Sequence, residues 1–215
     1  MDKVSFYSYA NDHNLPIPKT FFIENSQELE AASGELNYPC VLKPRDSAAR
    51  KWEDETIFKA FKIHDAAELI ATHNHYQRYT DCFIVQEWIE GGDSDLYSCN
   101  CYFDEDSHPL ATFVARKIRQ WPPETGVSCL GEEVRNDTVL EETIRLFRTV
   151  KYRGLGYMEM KQDRRNGKYF IVEPNIGRPT GRGTIAEAGG VELLYTAYCD
   201  AIGLPLPVNR QQTYQ

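Results

Sequence analysis

A hairpin near the end of the chain constrains the fold more than any other feature of the sequence. Two β-favouring runs, GYMEMKQD (156–163) and KYFIVEPN (168–175), flank the segment Arg164-Arg165-Asn166-Gly167. Asn-Gly between two such runs is a strong indication of a tight turn between antiparallel strands. The sequence therefore predicts that these two segments pair with each other.

Polar side chains lie at matching places in the two arms of this hairpin. Glu159 is in the first arm, Glu173 is in the second, and Asn175 follows two residues later. Facing side chains on neighbouring strands are about 5 Å apart, and residues 173 and 175 point to one face of their strand. Two carboxylates and an amide oxygen suit a hard cation such as Mg²⁺. The alternative is a solvated hairpin whose acids act separately.

The rest of the chain reads as an α+β protein rich in hairpins, not as a regular βαβ array. The segment 125–134 is predicted to be mostly loop and turn, and Gly189-Gly190 is a weak point in the last helix. Helices are predicted at 3–13, 26–33, 65–79, 137–151 and 185–203.

Charge and hydropathy exclude two classes of protein. The 215 residues carry 24 Lys and Arg against 32 Asp and Glu, a net charge of −8. This balance argues against a general nucleic-acid binder, because phosphate backbones favour a basic face. No apolar run approaches a membrane span, and the first residues lack a signal peptide, so we expect a cytosolic protein without membrane contact. Its six cysteines are expected to be free thiols, and its five histidines to lie on the surface.

Two further segments suggest nucleotide contacts. Lys43 ends the apolar strand PCVLKP, where its point charge suits a phosphate, although an ordinary edge-strand lysine fits equally. The stretch VQEWIEGGDSD (85–95) runs from a buried strand into Gly-Gly and acids. Its backbone can read adenine and its acids can accept from ribose hydroxyls, but an ordinary turn is the alternative. The sequence contains no P-loop, GxGxxG or GxSxG motif.

The order of these features resembles the ATP-grasp superfamily over nearly the whole chain, and carboxylate–amine ligases in particular. The segment ARKIRQWPPETG (115–126) is similar to segments of D-aspartate-ligase-like and carbamoyl-phosphate-synthase-like members. The resemblance implies two α+β lobes, residues 1–88 and 89–215, that enclose a nucleotide cleft. Such enzymes usually carry an N-terminal α/β domain first. We expect that domain to be missing here, or to lie on a partner chain or outside this sequence.

The resemblance also implies roles for individual residues. ATP phosphates would be contacted by Lys3 and Lys43, and Mg²⁺ or Mn²⁺ would be held by Glu159, Glu173 and Asn175. Adenine would be bound by the linker of Gln86, Glu87 and Ile89, and ribose by Asp93 or Asp95. The acyl phosphate or substrate carboxylate would be held by Arg116 and Arg178, with Arg182 nearby.

Several positions depart from the family pattern. Members of the family commonly have a glycine-rich lid over the ATP phosphates. The corresponding segment here, 45–55, lacks glycine, so no role can be assigned to Ser47, Arg50 or Lys51. Gly177 occupies a position where many relatives have arginine, and Arg178 comes one residue later. The alternative for the two basic clusters, one of Arg116, Lys117 and Arg119 and the other of Arg178 and Arg182, is that they form salt bridges with the surplus surface acids.

The reaction implied by the resemblance is ATP-dependent ligation. A carboxylate takes the γ-phosphoryl group to become an acyl phosphate, and an amine then displaces phosphate. Both substrates would be small molecules. Two alternatives remain: an ATP-binding module that is inactive without its missing domain or partner, and an interaction protein that binds no nucleotide.

Overall fold

The computed structural model describes residues 3–45, 60–121, 123, 126–179 and 181–210. The chain divides into two compact units, residues 1–89 and 90–215.

The first unit contains one four-stranded antiparallel sheet with strand order β1-β4-β2-β3. Its strands are β1 (Thr20–Ile23), β2 (Cys40–Pro44), β3 (Phe61–Ile63) and β4 (Phe83–Glu87). Its helices are α1 (Lys3–Asp12), α2 (Ser26–Glu35) and α3 (Ala66–Tyr76), and a 3-10 turn, Gln77–Tyr79, follows α3.

Alternation along β2 separates the core of this unit from its polar face. Cys40 and Leu42 are fully buried among residues of α2 and α3, including Leu29 and Leu69. Lys43 is only half-buried and, as a neighbour of Leu42 in the strand, points to the opposite face. Asn25 and Asp65 cap the first turns of α2 and α3, respectively, through their side chains. The apolar period of β2 therefore directs its lysine away from the core.

The second unit contains a five-stranded antiparallel sheet with strand order β7-β6-β5-β8-β9. Its strands are β5 (Leu96–Phe103), β6 (Pro109–Trp121), β7 (Val127–Glu133), β8 (Gly154–Gln162) and β9 (Tyr169–Ile176). Its helices are α4 (Asp137–Thr149), α5 (Gly181–Ala188) and α6 (Leu193–Ile202), and a 3-10 turn, Asp93–Asp95, precedes β5.

Helices cover both faces of this sheet. On one face, Phe113 and Ala115 of β6 form a core cluster with Ala186 and Leu193 from α5 and α6. On the other face, Phe147 of α4 packs on Phe103 with ring centroids 5.3 Å apart. Neighbouring residues of β6 consequently have different surroundings, which matters for the site below.

Three expectations about local structure were wrong. The segment 125–134 contains strand β7, and the helix predicted over 185–203 is two helices separated at Gly189-Gly190, where Gly190 has φ of +84°. His73 is buried, 5% exposed, against Phe83. Strand β7 has no buried alternation to identify it: Val127 and Leu130 are exposed, and its pairing with β6 is set by residues outside the segment.

The state of the cysteines agrees with the prediction of free thiols. All six cysteines are free, and each is buried except Cys129. Within the described ranges, no helix has the length and apolar character needed to cross a membrane.

Candidate functional site on the β8–β9 hairpin

The turn of the β8–β9 hairpin is fixed by Asp163. Its carboxylate accepts hydrogen bonds from the backbone N–H and the guanidinium of Arg165, at 2.9 Å and 2.6–3.2 Å. Its backbone carbonyl accepts from Gly167 N–H at 2.7 Å. The Arg165 hydrogen bonds lower the pKa of Asp163 even though burial opposes the shift. This closed turn sets the register of the two arms.

That register places Glu159 directly opposite Glu173. On its other side, Glu159 is opposite Ser98 of β5, so three strands contribute one row of oxygen-bearing side chains. Tyr157 faces Asn175 in the adjacent row, two residues along each strand. The predicted pairing of the two acids is thus present, with Asn175 on the same face as Glu173.

Two cations contact the Glu159 carboxylate. Arg182 of α5 donates to Oε1 at 2.5 Å, and Lys117 Nζ of β6 lies 3.5 Å from Oε2. The side chains are mostly buried, with exposed fractions of 17% for Glu159, 14% for Arg182 and 7% for Lys117. Burial lowers the pKa of Lys117 and Arg182 adds to the shift, whereas the charge of Glu159 opposes it.

A hydrogen-bond chain joins this cluster to the 3-10 turn before β5. Lys117 donates to Gln120 Oε1 at 3.3 Å, and Gln120 Nε2 donates to Asp93 Oδ1 at 2.8 Å. Asp93 also accepts from the Gln120 backbone N–H at 2.9 Å. Asp93, predicted to contact ribose, is thereby linked through two buried side chains to Glu159, predicted to bind metal.

Several buried polar atoms on this face have no partner among the described residues. They are Ser98 Oγ, both side-chain polar atoms of Asn100, and one terminal nitrogen of Arg182. Ser98 and Asn100 are two apart in β5 and so share a face. Buried polar groups are nearly always hydrogen-bonded in folded proteins. Ser98 and Asn100 are therefore polar residues inside the core of this face, at 1% and 0% exposure.

The donor set fits a hard divalent cation. Glu159, Glu173 and Asn175 supply oxygens only, as Mg²⁺ prefers, and Glu173 is exposed. In the part of the chain that the structure describes, no three His, Cys, Asp or Glu side chains come together. The protein would therefore contribute two carboxylates and an amide, which leaves positions for water and phosphate oxygens.

Arg116 does not lie on this face. Its guanidinium Nε donates to Glu132 Oε1 at 2.6 Å, a bond that raises the pKa of Arg116, and its cross-strand neighbour is Tyr97. Together with Tyr169 these side chains line an open pocket of about 470 Å³ near the start of α4. Neighbouring strand residues point to opposite faces. Lys117 is therefore the cation that β6 presents to Glu159, and the expectation for Arg116 does not fit its position.

The other predicted site residues of this unit, Arg178 and Asp95, differ in their contacts with the protein. Arg178 is exposed in the loop between β9 and α5. Asp95 accepts from Gly92 N–H at 2.7 Å and forms an ion pair with Arg164 at 2.6 Å. The first contact holds the Asp95 carboxylate to its own turn and the second to the β8–β9 turn, so Asp93 and Asp95 are each occupied by protein groups.

In the first unit, the predicted site residues Lys43 and Gln86 contact each other, and Tyr7 joins them. Lys43 Nζ donates to Tyr7 Oη at 3.3 Å and to Gln86 Oε1 at 3.4 Å. Gln86 Nε2 donates to Thr20 Oγ1 at 2.8 Å. Among the described residues, Lys43 has no carboxylate partner. Tyr7 was missed because α1 gives no sequence indication of which side faces the sheet.

Some residues of the predicted adenine-binding linker already form hydrogen bonds within their own unit. Glu87 N–H donates to Lys19 O at 2.9 Å, and Glu87 Oε1 accepts from Asn37 Nδ2 at 2.7 Å. Trp88 N–H donates to Pro39 O at 3.1 Å, whereas the Ile89 N–H has no partner within the described ranges. The Lys3 side chain and residues 46–55 of the predicted lid lie outside the described residues.

Comparison with curated proteins finds ligases. The chain is 27% identical over 190 residues to a D-aspartate ligase of Enterococcus faecium, covering 82% of this chain and 44% of the relative. It is 22% identical over 188 residues to a D-alanine–D-alanine ligase of Pseudomonas entomophila, covering 81% and 54%. The chain thus spans about half the length of these relatives. No family model matches the sequence.

Solved structures decide the fold. An ADP complex of N5-carboxyaminoimidazole ribonucleotide synthetase superposes with a TM-score of 0.71 at 16% identity, over 95% of this chain and 52% of that one. An ATP-grasp ligase, PsnB, in complex with its minimal precursor gives a TM-score of 0.57 at 17% identity, over 84% and 54%. The chain has the ATP-grasp fold. The predicted α+β class and the resemblance to the ATP-grasp superfamily are confirmed.

A D-alanine–D-alanine ligase of Bacillus anthracis complexed with ATP gives a TM-score of 0.63 at 16% identity. It covers 94% of this chain and 66% of that structure. The fold of this chain thus recurs in proteins of low sequence identity to it. Specific chemistry has to be argued from the side chains described above.

Proposed function

We propose that this chain binds Mg·ATP and uses it to activate a carboxylate as an acyl phosphate for attack by an amine. One observation carries the proposal: the row in which Glu159 faces Glu173, with Asn175 on the same face and two cations beside it. Oxygen ligands next to Lys and Arg suit a metal-bound polyphosphate.

Five residues have defined parts in this proposal. Lys43 binds ATP phosphate, and the Ile89 N–H, which has no partner among the described residues, binds the adenine edge. Glu159, Glu173 and Asn175 hold Mg²⁺, which offsets phosphate charge when it is bound. Transfer of a phosphoryl group depends mainly on positioning and charge neutralisation, so no side-chain nucleophile is required.

The substrate class is proposed from the relatives. D-aspartate ligase and D-alanine–D-alanine ligase are both named for amino acids. We propose an amino acid or another small carboxylate as the acid substrate. A partner chain or an additional domain would help to complete its binding site, since the chain spans about half of each relative.

Turnover tests the proposal directly. Purified protein with Mg·ATP, a panel of amino acids including D-aspartate, and an amine or ammonium should release ADP and phosphate in equal amounts. Glu173→Gln should abolish this turnover without loss of fold, because Glu173 is exposed. Release that is independent of both substrates, or wild-type release by Glu173→Gln, contradicts the proposal. Tight Mg·ATP binding without turnover supports the inactive-module alternative.

A further inference from the structure

The side-chain amide of Gln86 is held in one orientation by a relay of hydrogen bonds that ends at Lys43. Thr20 of β1 and Gln86 of β4 are direct cross-strand partners. Thr20 Oγ1 donates its single proton to the Pro18 carbonyl oxygen at 2.7 Å, so towards Gln86 it acts as an acceptor, from Nε2 at 2.8 Å. Gln86 consequently presents its other end, the carbonyl Oε1, to Lys43 Nζ at 3.4 Å.

Tyr7 of α1 contacts the same two groups. Its hydroxyl donates to Gln86 Oε1 at 3.4 Å and accepts from Lys43 Nζ at 3.3 Å. The Lys43 ammonium also lies 5.5 Å from the centre of the Tyr7 ring, where the face of an aromatic ring attracts a cation. Tyr7 is 2% exposed and Gln86 is 5% exposed, so the surrounding protein fixes both acceptors of Lys43.

Both acceptors of Lys43 are uncharged. They are a phenol and an amide, and in the described part of the chain no carboxylate pairs with the Lys43 ammonium. Lys19, in the same unit, pairs instead with the Glu35 carboxylate at 3.4 Å. A carboxylate would compete with an incoming anion, whereas neutral acceptors fix the ammonium and leave its charge available. The contacts of Lys43 therefore preorganise a positive charge before any ligand arrives.

We propose that Thr20, Gln86 and Tyr7 are positioning residues that hold Lys43 as a cation without a counter-ion, and that the neutrality of the Gln86 amide reserves this charge for ATP phosphate. The inference rests on the proposed function, because it takes Lys43 as a phosphate contact. It assigns the Gln86 side chain to the phosphate end of the nucleotide and not to adenine. Thr20 acts on Lys43 only through Gln86.

Gln86→Glu tests the need for a neutral acceptor, because it keeps the size of the side chain and places a carboxylate beside Lys43. In calorimetric titrations of the full chain, its affinity for Mg·ATP should fall about tenfold or more, since the introduced charge competes with phosphate. Its circular dichroism spectrum and cooperative unfolding should be retained. Gln77→Glu is the matched control, which adds the same charge at an exposed position of the same unit. It should bind Mg·ATP as wild type does.

Thr20→Val tests the relay at a residue remote from the ligand. It removes the hydroxyl but keeps a β-branched side chain, and should weaken Mg·ATP binding by about threefold to tenfold, the usual worth of a hydrogen bond. Thr20→Ser keeps the hydroxyl and should restore wild-type affinity. In a Lys43→Met background, Thr20→Val should change the affinity less than about twofold, because its effect passes through Lys43.

The outcomes that overturn this inference differ from those that overturn the proposed function. Wild-type affinity in a folded Gln86→Glu variant overturns the inference. Equal loss in Thr20→Val and Thr20→Ser, or an equal effect of Thr20→Val with and without Lys43, also overturns it, because each indicates general loosening of the sheet. If the wild-type chain does not bind Mg·ATP, or if Lys43→Met binds it as tightly as wild type, the proposed function fails instead.

Discussion

At the scale of the residue, strand parity decides which cation faces the proposed metal ligands. Arg116 and Lys117 are adjacent in β6, yet Arg116 contacts Glu132 and Lys117 contacts Glu159. The two pairs also differ in their exposure to solvent. The side chains of Arg116 and Glu132 are each 41% exposed, whereas those of Lys117 and Glu159 are largely buried.

Two arginine substitutions should therefore have different effects. Arg116→Met should lower the free energy of unfolding by no more than about 1 kcal/mol, because an exposed ion pair contributes little. It should leave the rise in melting temperature caused by Mg·ATP unchanged. Arg182→Met should reduce that rise, because it removes a buried cation from the proposed phosphate site. Thermal unfolding with and without Mg·ATP measures both, and equal loss in the two variants would contradict the assignment of faces.

At the scale of the element, the β8–β9 hairpin depends on close packing behind its arms. A Cβ added to Gly156 would lie 3.0 Å from Phe147 Cζ and 3.1 Å from the Asn175 carbonyl oxygen. Phe147 is 2% exposed and packs against Phe103 and Tyr152, so it has little room to move. The glycine permits α4 to approach the strand pair that presents Asn175.

Gly156→Ala should lower the free energy of unfolding by about 1–3 kcal/mol, as overpacked cores do. Gly34→Ala is the control: Gly34 is exposed in α2, and its added Cβ meets nothing within 4 Å. That control should raise stability by about 0.5–1 kcal/mol, because alanine restricts the unfolded helix segment more than glycine does. Urea unfolding measures the pair. Equal stabilisation by both substitutions would show that the packing is looser than described.

The hairpin turn should give a defined dependence of stability on pH. Arg165 lowers the pKa of Asp163 below its ordinary value of 3.8. A lowered pKa in the folded state stabilises the fold above that value, and the stabilisation is lost as pH falls through the folded-state pKa. Asp163→Asn should therefore cost about 1–3 kcal/mol at neutral pH, a cost that shrinks below pH 3.8.

Urea unfolding of the wild type and of Asp163→Asn, from neutral pH to below pH 3.8, tests whether the Asp163 charge stabilises the turn. Glu105→Gln, which changes an exposed acid outside the turn, is the control and should leave the curve near wild type. If the loss of stability caused by Asp163→Asn does not change with pH, the charge of Asp163 does not stabilise the turn.

Local patterns in the sequence predicted the elements that have strong local causes. The β8–β9 hairpin follows from its Asn-Gly turn, and the facing acids follow from that turn. Strand β7 and the burial of His73 depend on non-local packing, which leaves little trace in a short stretch of sequence. The contact between Lys117 and Glu159 requires both side chains to lie on the same face of the sheet. That could not be predicted, because β6 and β8 are related only through the pairing of each with β5, which lies between them.

At the scale of the whole molecule, the chain joins two compact units that together have the ATP-grasp fold. Each unit presents part of the proposed chemistry: Lys43 with Tyr7 and Gln86 in the first, and the Glu159 cluster in the second. The net charge of −8 does not oppose nucleotide binding, because the cations concerned are placed locally and the acids would be offset by metal.

The most direct test of the central claim is calorimetric titration of ATP into the wild-type chain and into Glu173→Gln, with Mg²⁺ and with EDTA. ATP should bind the wild type only when Mg²⁺ is present. Glu173→Gln should weaken this binding tenfold or more, about 1.4 kcal/mol, while its thermal unfolding without ligand stays as in wild type. Equal affinity of the two proteins for Mg·ATP would contradict the claim that the β8–β9 hairpin holds the metal.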